Sequence, residues 1–365
     1  MRAEIQNIHS FWKQKLEERT SAQSLRKLPL QNEGIDFYSN DYLGFARKKD
    51  GEVSTVGGAT GSRLISGNSP VHEELEQRLA TLFECKAALL YNSGYDANLG
   101  LFSCIASRTD TIVYDEYAHA SIRDGIRLSP SRSFSFRHND LADLQSKLEK
   151  ANGRIVIAVE AIYSMDGDEA PLLEIAQLCN EFNAHLVVDE AHALGIYEKG
   201  LCQALSLSGD ELTRIITFGK ALGYHGAAVL SGSMLKQYLV NFSRSFIYTT
   251  AMPESNATTL NKLLSLYLES GPERANLKRN IELFRSQMSS DYLIETCKGP
   301  IQIIKAQGSK ANNLELFLLE KGFLVKAVLH PTVPEGQERL RICLHSFNEP
   351  AHIEHLCHHI NSFEW

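Results

Sequence analysis

Residues 186–192 read Leu-Val-Val-Asp-Glu-Ala-His, and the apolar run that follows, residues 215–223, reads Ile-Ile-Thr-Phe-Gly-Lys-Ala-Leu-Gly. Each begins like a strand buried on both faces and ends abruptly in groups that ionise. Working outward, Ala87–Tyr91, Thr111–Tyr114, Ile155–Val159 and Ala227–Leu230 have the same character. Most are separated by stretches long enough for a crossover helix, an alternation that predicts an α/β fold with a mostly parallel central sheet and helices on both faces. Ligands of such sheets bind beyond the carboxyl ends of the strands, so the residues after each run are the candidates for chemistry.

Composition bounds what that chemistry serves. The chain has 365 residues, enough for about two domains at roughly 150 residues each. With 43% hydrophobic and 22% charged residues it reads as a folded globular protein, and disorder as the main state is excluded. Forty-four acids against 37 Lys and Arg leave a net charge of −7, the wrong sign for a protein that neutralises phosphates, so no nucleic acid partner is expected. Seven cysteines lie scattered without a CxxC pair, which fits neither a disulfide framework nor a zinc ribbon. Glu4, Glu17 and Glu18 interrupt the N-terminal region, unlike a secretory or transit segment. No apolar run approaches the ~20 residues that span a bilayer. The expectation is a cytoplasmic protein without a membrane partner.

Residues 5–19 place Ile5, Ile8, Phe11, Trp12 and Leu16 at helical spacing, an amphipathic helix lying on something larger. After Pro253 a long helical pattern runs to about Met288, broken at Gly271-Pro272, and strands follow near 300–305, 323–328 and 339–344. The predicted division is an N-terminal helix and arm over 1–45, a large domain over 46–250 and a small C-terminal α/β domain over 251–365.

The strand ends carry the candidates. Ala88 to Tyr95 reads as a strand, a tight turn at Gly94 and a helix start, where free amides can bind an anion. His119 follows the next strand, with Ser121 beyond it; Ile155–Val159 runs into Glu160 and then Ser164-Met165-Asp166-Gly167-Asp168, which also reads as an ordinary turn. Asp189 emerges directly from a buried strand and needs a hydrogen-bonding or cationic partner, whether in a salt bridge or a ligand site. Lys220 lies between runs that both read as internal. Its amine is therefore expected in an enclosed space, where desolvation lowers its pKa from about 10.4 and makes it a nucleophile able to form a Schiff base. One cofactor uses all three features. Pyridoxal phosphate takes a lysine at its aldehyde, a carboxylate at its ring nitrogen and a helix start at its phosphate. Lys220, Asp189 and the Gly94-Tyr95 turn match these needs, with His119 available to cover the ring.

From about Leu25 onward the chain resembles the α-oxoamine synthases, a family of fold-type I pyridoxal-phosphate transferases. The resemblance rests on Ser39-Asn40-Asp41-Tyr42-Leu43-Gly44, the Gly-rich stretch from Gly58 to Asn68, His119-Ala120-Ser121, Ser164 to Asp168, Asp189 to His192, Thr217 to Lys220, Ile247 to Pro253, Pro331 to Pro334 and Arg339-Leu340-Arg341. It implies that Lys220 holds the cofactor aldehyde, Asp189 pairs with the pyridine nitrogen and His119 stacks on the ring, these three being the catalytic residues. It further implies Ser164 and His192 near the phenolic oxygen, and Gly94, Tyr95 and Thr217 at the phosphate. Thr249 or Thr250 would reach that phosphate from the neighbouring subunit of a homodimer. Arg341 is implied at the amino-acid carboxylate, and Arg26 and Thr332 at other substrate positions. The branch nearest in wording joins L-alanine to a pimeloyl thioester carried on CoA or acyl carrier protein, as a step of biotin biosynthesis. A sister branch uses glycine, and Asp124 to Leu128 resembles it; a non-catalytic partner subunit of the same fold is disfavoured because Lys220 is present.

The sequence departs from the family at Ala118, Glu190 and Ala193, where Asn, Asp and Gly are usual, and these departures are expected at the pocket rim. The connection from Phe45 to Val56 is also short. Gly57 to Gly67 reads either as a turn-rich crossing or as a loop that closes over substrate. His352, His355 and His359 share one helical face, but without a completing carboxylate they read as surface, and no metal site is expected.

Overall fold

The computed structural model describes residues 8–21, 25, 57–329 and 333–364, and these form two units. The first comprises residues up to Ala161 and Pro171–Ser265, the second Ile162–Ala170 and Leu266 onward.

In the first unit the strands are β1 (Ala87–Tyr91), β2 (Thr111–Asp115), β3 (Arg132–Phe136), β4 (Ile155–Glu160), β5 (His185–Asp189), β6 (Leu212–Thr217) and β7 (Ala227–Ser231). They form one sheet in the order β1-β7-β6-β5-β4-β2-β3, parallel except that β7 runs antiparallel to both β1 and β6. Strands β1, β4, β5 and β7 are buried along their whole length, which is why they read as unbroken apolar runs. The sequence reading missed β3. As Arg-Ser-Phe-Ser-Phe at the sheet edge, with only Phe136 buried, it alternates instead of forming a run.

The helices are α1 (Ile8–Ser21), α2 (Pro70–Leu82), α3 (Gly94–Phe102), α4 (Ala120–Leu128), α5 (Leu141–Leu148), α6 (Leu172–Phe182), α7 (Leu201–Ala204), α8 (Ser233–Phe242), α9 (Arg244–Ile247) and α10 (Glu254–Leu268). The amphipathic reading of α1 holds for Ile8, Phe11 and Trp12, which enter a core shared with α3, α8 and the sheet. Ile5 lies outside the described residues.

The second unit continues with α11 (Gly271–Gln287), β8 (Ile301–Lys305), α12 (Ser309–Glu320), β9 (Lys326–Val328), β10 (Arg339–Cys343) and α13 (Pro350–Asn361). Its three strands are antiparallel in the order β8-β10-β9. The expected break at Gly271-Pro272 is where α11 begins, with proline in the first turn, where its missing N–H costs nothing. A separate apolar core joins α11, α12, α13 and the small sheet. All seven cysteines are free thiols. Among the described residues no helix is long and apolar enough to cross a membrane.

Candidate active site

β5 brings Asp189 to the carboxyl edge of the large sheet, where it is only 6% exposed. Its Oδ2 accepts a hydrogen bond from Asn98 Nδ2 at 2.7 Å and its Oδ1 one from the Ala191 amide at 2.9 Å. Both donors are neutral, and among the described residues no cationic side chain forms an ion pair with Asp189. The salt-bridge reading of Asp189 thus finds no partner among the described residues.

A directional chain runs on from this carboxylate. Asn98, buried in α3, also donates to Ser121 Oγ at 3.0 Å, and that hydroxyl lies 2.7 Å from His119 Nδ1. His119 is the N-cap of α4, its Nδ1 accepting from the Ser121 amide at 3.2 Å. Because a backbone N–H only donates, Nδ1 is the acceptor nitrogen and the neutral ring carries its proton on Nε2. Partial burial lowers the His119 pKa; Asp189 pulls it back up and Lys220 pushes it further down. Gly125 allows this geometry: a Cβ there would lie 2.8 Å from Phe102 Cβ and 2.9 Å from the Asn98 carbonyl, so only glycine lets α4 approach α3 this closely.

The turn between β1 and α3 is built for an anion. Ser93 Oγ caps the helix by accepting from the Asp96 amide at 3.1 Å, which leaves the earlier amides of Gly94 and Tyr95 at the helix start. Thr217 stands beside this turn. Its hydroxyl donates to the Gly226 carbonyl at 3.2 Å and accepts from the Gly219 amide at 3.3 Å. Asn92 Nδ2 donates to the Thr250 carbonyl at 2.8 Å and to Thr249 Oγ1 at 3.4 Å, so both threonines sit by the same turn within one chain. Tyr95 turns its hydroxyl to Asp124.

Lys220 corrects one expectation. It lies in a turn past β6, its carbonyl accepting from the Gly223 amide at 2.9 Å, and the residue is exposed instead of enclosed. A turn at the sheet rim has no strand on its outer side, so the described residues of one chain leave the side chain open. Its charge nonetheless lowers the pKa of both His119 and Glu160, so it is within electrostatic reach of both. His192 is half-buried in the turn after β5.

Glu160 is a functional candidate that sequence reasoning passed over. It is 4% exposed at the end of β4, its carboxyl accepts from the His119 amide, and its pKa is raised well above the ordinary range, by burial first and by the Asp189 charge next. Its signal was a carboxylate closing a buried run, the same signal that singled out Asp189.

Glu190 corrects the expectation that the family departures touch the pocket rim more than the core, because it is buried in an ion pair. It is 0% exposed, pairs with Arg214 and accepts from the Cys202 amide at 2.8 Å. As the residue after Asp189 it points to the other face of the chain. Ala118 and Ala193 are buried as well. The Gly-rich stretch resolves toward the crossing reading, because Arg63, Ser66 and Asn68 are buried and Arg63 donates to Glu76 Oε1 at 2.9 Å and Asn68 Oδ1 at 2.6 Å.

In the second unit the Ser164 carbonyl accepts from Arg341 Nε at 2.8 Å, and Asp166 pairs with Arg339. The Ser164 to Asp168 segment is thus a turn locked to β10. Its Gly167 takes a φ of +70° that favours glycine. His352 and His355 are exposed on α13. Arg26, Thr332 and residues 39–44 lie outside the described residues.

A family model described as aminotransferase class I and II matches residues 32–360. An 8-amino-7-oxononanoate synthase of Marinobacter nauticus is 39% identical over 341 residues, covering 88% of this chain and 85% of that one. One from Lysinibacillus sphaericus is 37% identical, with coverage of 84% and 82%. The chain belongs to the 8-amino-7-oxononanoate synthases of the aminotransferase class I and II family. Among solved structures it is similar to the 8-amino-7-oxononanoate synthase of Francisella tularensis, at TM-score 0.72 and 29% identity over 82% of this chain and 88% of that one. A serine palmitoyltransferase of Sphingomonas wittichii matches at TM-score 0.78 and 25% identity over 98% of each chain. Another, from S. paucimobilis and solved with bound PLP, shares the fold at TM-score 0.80 and 24% identity over 98% of each chain. The α/β architecture is that of the fold-type I transferases in this family.

Proposed function

We propose that this chain uses pyridoxal 5'-phosphate to condense L-alanine with a pimeloyl thioester, on CoA or acyl carrier protein, releasing carbon dioxide and the thiol to give 8-amino-7-oxononanoate for biotin synthesis. Asp189 carries the reading. A carboxylate 6% exposed, aimed by two neutral donors and in no ion pair among the described residues, is a site for a cation supplied by a ligand, and a protonated pyridine nitrogen is such a cation. Gly94 agrees: a Cβ there would meet only Thr217 at 3.6 Å, an ordinary contact, so the space before the helix start is one the fold itself does not need.

When bound, the cofactor supplies an aldehyde for the substrate amine and a cationic ring that absorbs the charge left on the α-carbon. Asp189 keeps the proton on the ring nitrogen. Lys220 would hold the aldehyde, and its free amine would take the α-proton at Nζ. His119 covers the ring and offers its Nε2–H to the oxygen on which charge develops. The Gly94 and Tyr95 amides and the Thr217 hydroxyl bind the phosphate. Thr249 or Thr250 serves the phosphate of the other subunit in a cytoplasmic homodimer. Ser164 and His192 serve the phenolic oxygen. Arg341, with its Nε committed to Ser164, offers its paired Nη groups to the amino-acid carboxylate, and Arg26 and Thr332 contact substrate.

The test incubates the reconstituted protein with alanine or glycine against pimeloyl-CoA, pimeloyl acyl carrier protein and acetyl-CoA, following thiol and carbon dioxide release. Alanine with a pimeloyl thioester is expected to turn over fastest. Preference for glycine with acetyl-CoA overturns the substrate assignment, and absence of a borohydride-sensitive visible band overturns the cofactor assignment.

A further inference from the structure

His185 opens β5 at the end of the large sheet opposite Asp189, roughly 13 Å of strand away. The ring is 0% exposed, its Nε2 is held 2.9 Å from Thr213 Oγ1, and its Nδ1 has no hydrogen-bond partner. Glu211 Oε2 stands 3.6 Å from that nitrogen, beyond hydrogen-bond reach, and 3.1 Å from His9 Nε2 on α1. The two imidazole nitrogens and the carboxylate oxygen all lie within 4.8 Å of one another, the one such group of potential metal ligands among the described residues. Bonds of about 2.1 Å at tetrahedral angles place ligand atoms about 3.4 Å apart, which the two measured separations bracket.

We propose that His9, His185 and Glu211 bind a divalent transition-metal ion, zinc by preference, which fastens the N-terminal helix to the remote end of the sheet. Two imidazoles and one carboxylate form a zinc donor set, with the fourth position open to water from the side on which Glu211 is half exposed. The surroundings orient the ligands. Thr213 fixes the His185 ring from behind, the Asp210 carbonyl accepts from the His9 ring, and Trp12 packs 4.8 Å from His9 and edge-on, 5.0 Å, to His185. The Asp210 carboxylate is engaged by Lys86 at 2.6 Å and adds only negative potential. A buried ring nitrogen without a hydrogen bond is costly, and one ion satisfies it together with the other two groups. The sequence reading missed the site because its ligands are distant in the chain and only the docking of α1 assembles them.

Cobalt(II) is the probe, titrated into the metal-stripped holoenzyme. The expected result is the visible ligand-field spectrum of four-coordinate cobalt, saturating at one equivalent per chain, displaced by zinc and accompanied by a rise of the thermal midpoint. His9→Gln and Glu211→Gln change side chains that solvent reaches, so the fold is retained while affinity falls beyond the ~10–100-fold typical of losing only an orienting partner. Absence of stoichiometric binding, a spectrum that survives both substitutions, or a zinc-induced rise of the midpoint equal in the variants overturns the proposal; the first leaves the cluster as a His–Glu ion pair.

Discussion

Glu160 and Asp189 end neighbouring parallel strands in direct register, Glu160 opposite Asp189, so two carboxyl groups leave the sheet side by side on one face. The raised pKa of Glu160 follows from burial and from the Asp189 charge, with the Lys220 charge opposing. For an acid whose pKa rises on folding, stability is complete below the unfolded value, 4.5 here, and is lost as pH climbs through the folded value. Each unit of elevation costs about 1.4 kcal/mol at higher pH. Glu160→Gln keeps an oxygen for the His119 amide and removes the titration. Denaturant unfolding across pH is expected to show the variant gaining on the parent as pH rises above the carboxylate range; parallel profiles would exclude the coupling.

His119 answers to the same pair of charges. Its pKa is lowered from 6.5 by partial burial first, with Asp189 raising and Lys220 lowering it. In the cofactor-free protein, Asp189→Asn is therefore expected to depress the titration further and Lys220→Ala to raise it. The ring-proton NMR resonance, assigned by its loss in His119→Asn, reads both shifts. Movement of the two variants in the same direction would break the assignment of the three groups to one site.

What the residues themselves disclose follows from how strands and sites differ. Parallel strands covered on both faces announce themselves as apolar runs, and so do the carboxylate and the amine that close two of them. Edge strand β3 does not, because solvent on its outer side permits Arg132, Ser133 and Ser135. Glu160 gained its significance only from register, since what makes it unusual is the neighbour it meets across the ladder. Asn98 sits in the middle of α3, where an amide has no local signature, and the α3–α4 packing alone shows that it aims Asp189. Exposure of Lys220 was misread because flanking strands report on the sheet and say little about a turn at its rim.

Removing the amide of Asn98 tests that aim. Asn98→Ala takes from Asp189 one of two hydrogen bonds and breaks the link to Ser121. A hydrogen bond to a charged group is worth about 1.5–3 kcal/mol, so equilibrium unfolding is expected to show a loss of that order, with weaker cofactor retention on dialysis. Unchanged retention would mean that the carboxylate is held by the Ala191 amide alone.

The Glu190–Arg214 pair predicts a different pattern, loss of stability with the chemistry intact. Arg214 also donates to the Phe83 carbonyl at 3.3 Å and to the Lys199 carbonyl, and both partners of the pair are buried. Arg214→Met strands a buried carboxylate, at a cost of about 3–5 kcal/mol. Adding Glu190→Gln recovers part of it. Calorimetry on the single and double variants, with turnover measured on whatever remains folded, separates this pair from the Asp189 side of the strand.

Gly94→Ala separates fold from cofactor most cleanly. The new methyl meets Thr217 Cβ at 3.6 Å and Oγ1 at 3.7 Å, neither of them strained, and the residue starts a helix in a conformation open to alanine. Folding stability is expected to hold or to rise slightly, since alanine loses less backbone entropy than glycine. The same methyl occupies the space before the α3 amides, where a phosphate must approach the backbone closely. Crowding of about 1–3 kcal/mol corresponds to cofactor binding weakened roughly five- to 150-fold, read by titrating pyridoxal phosphate into the stripped protein. If affinity is untouched while the protein folds normally, the phosphate does not sit at the start of α3.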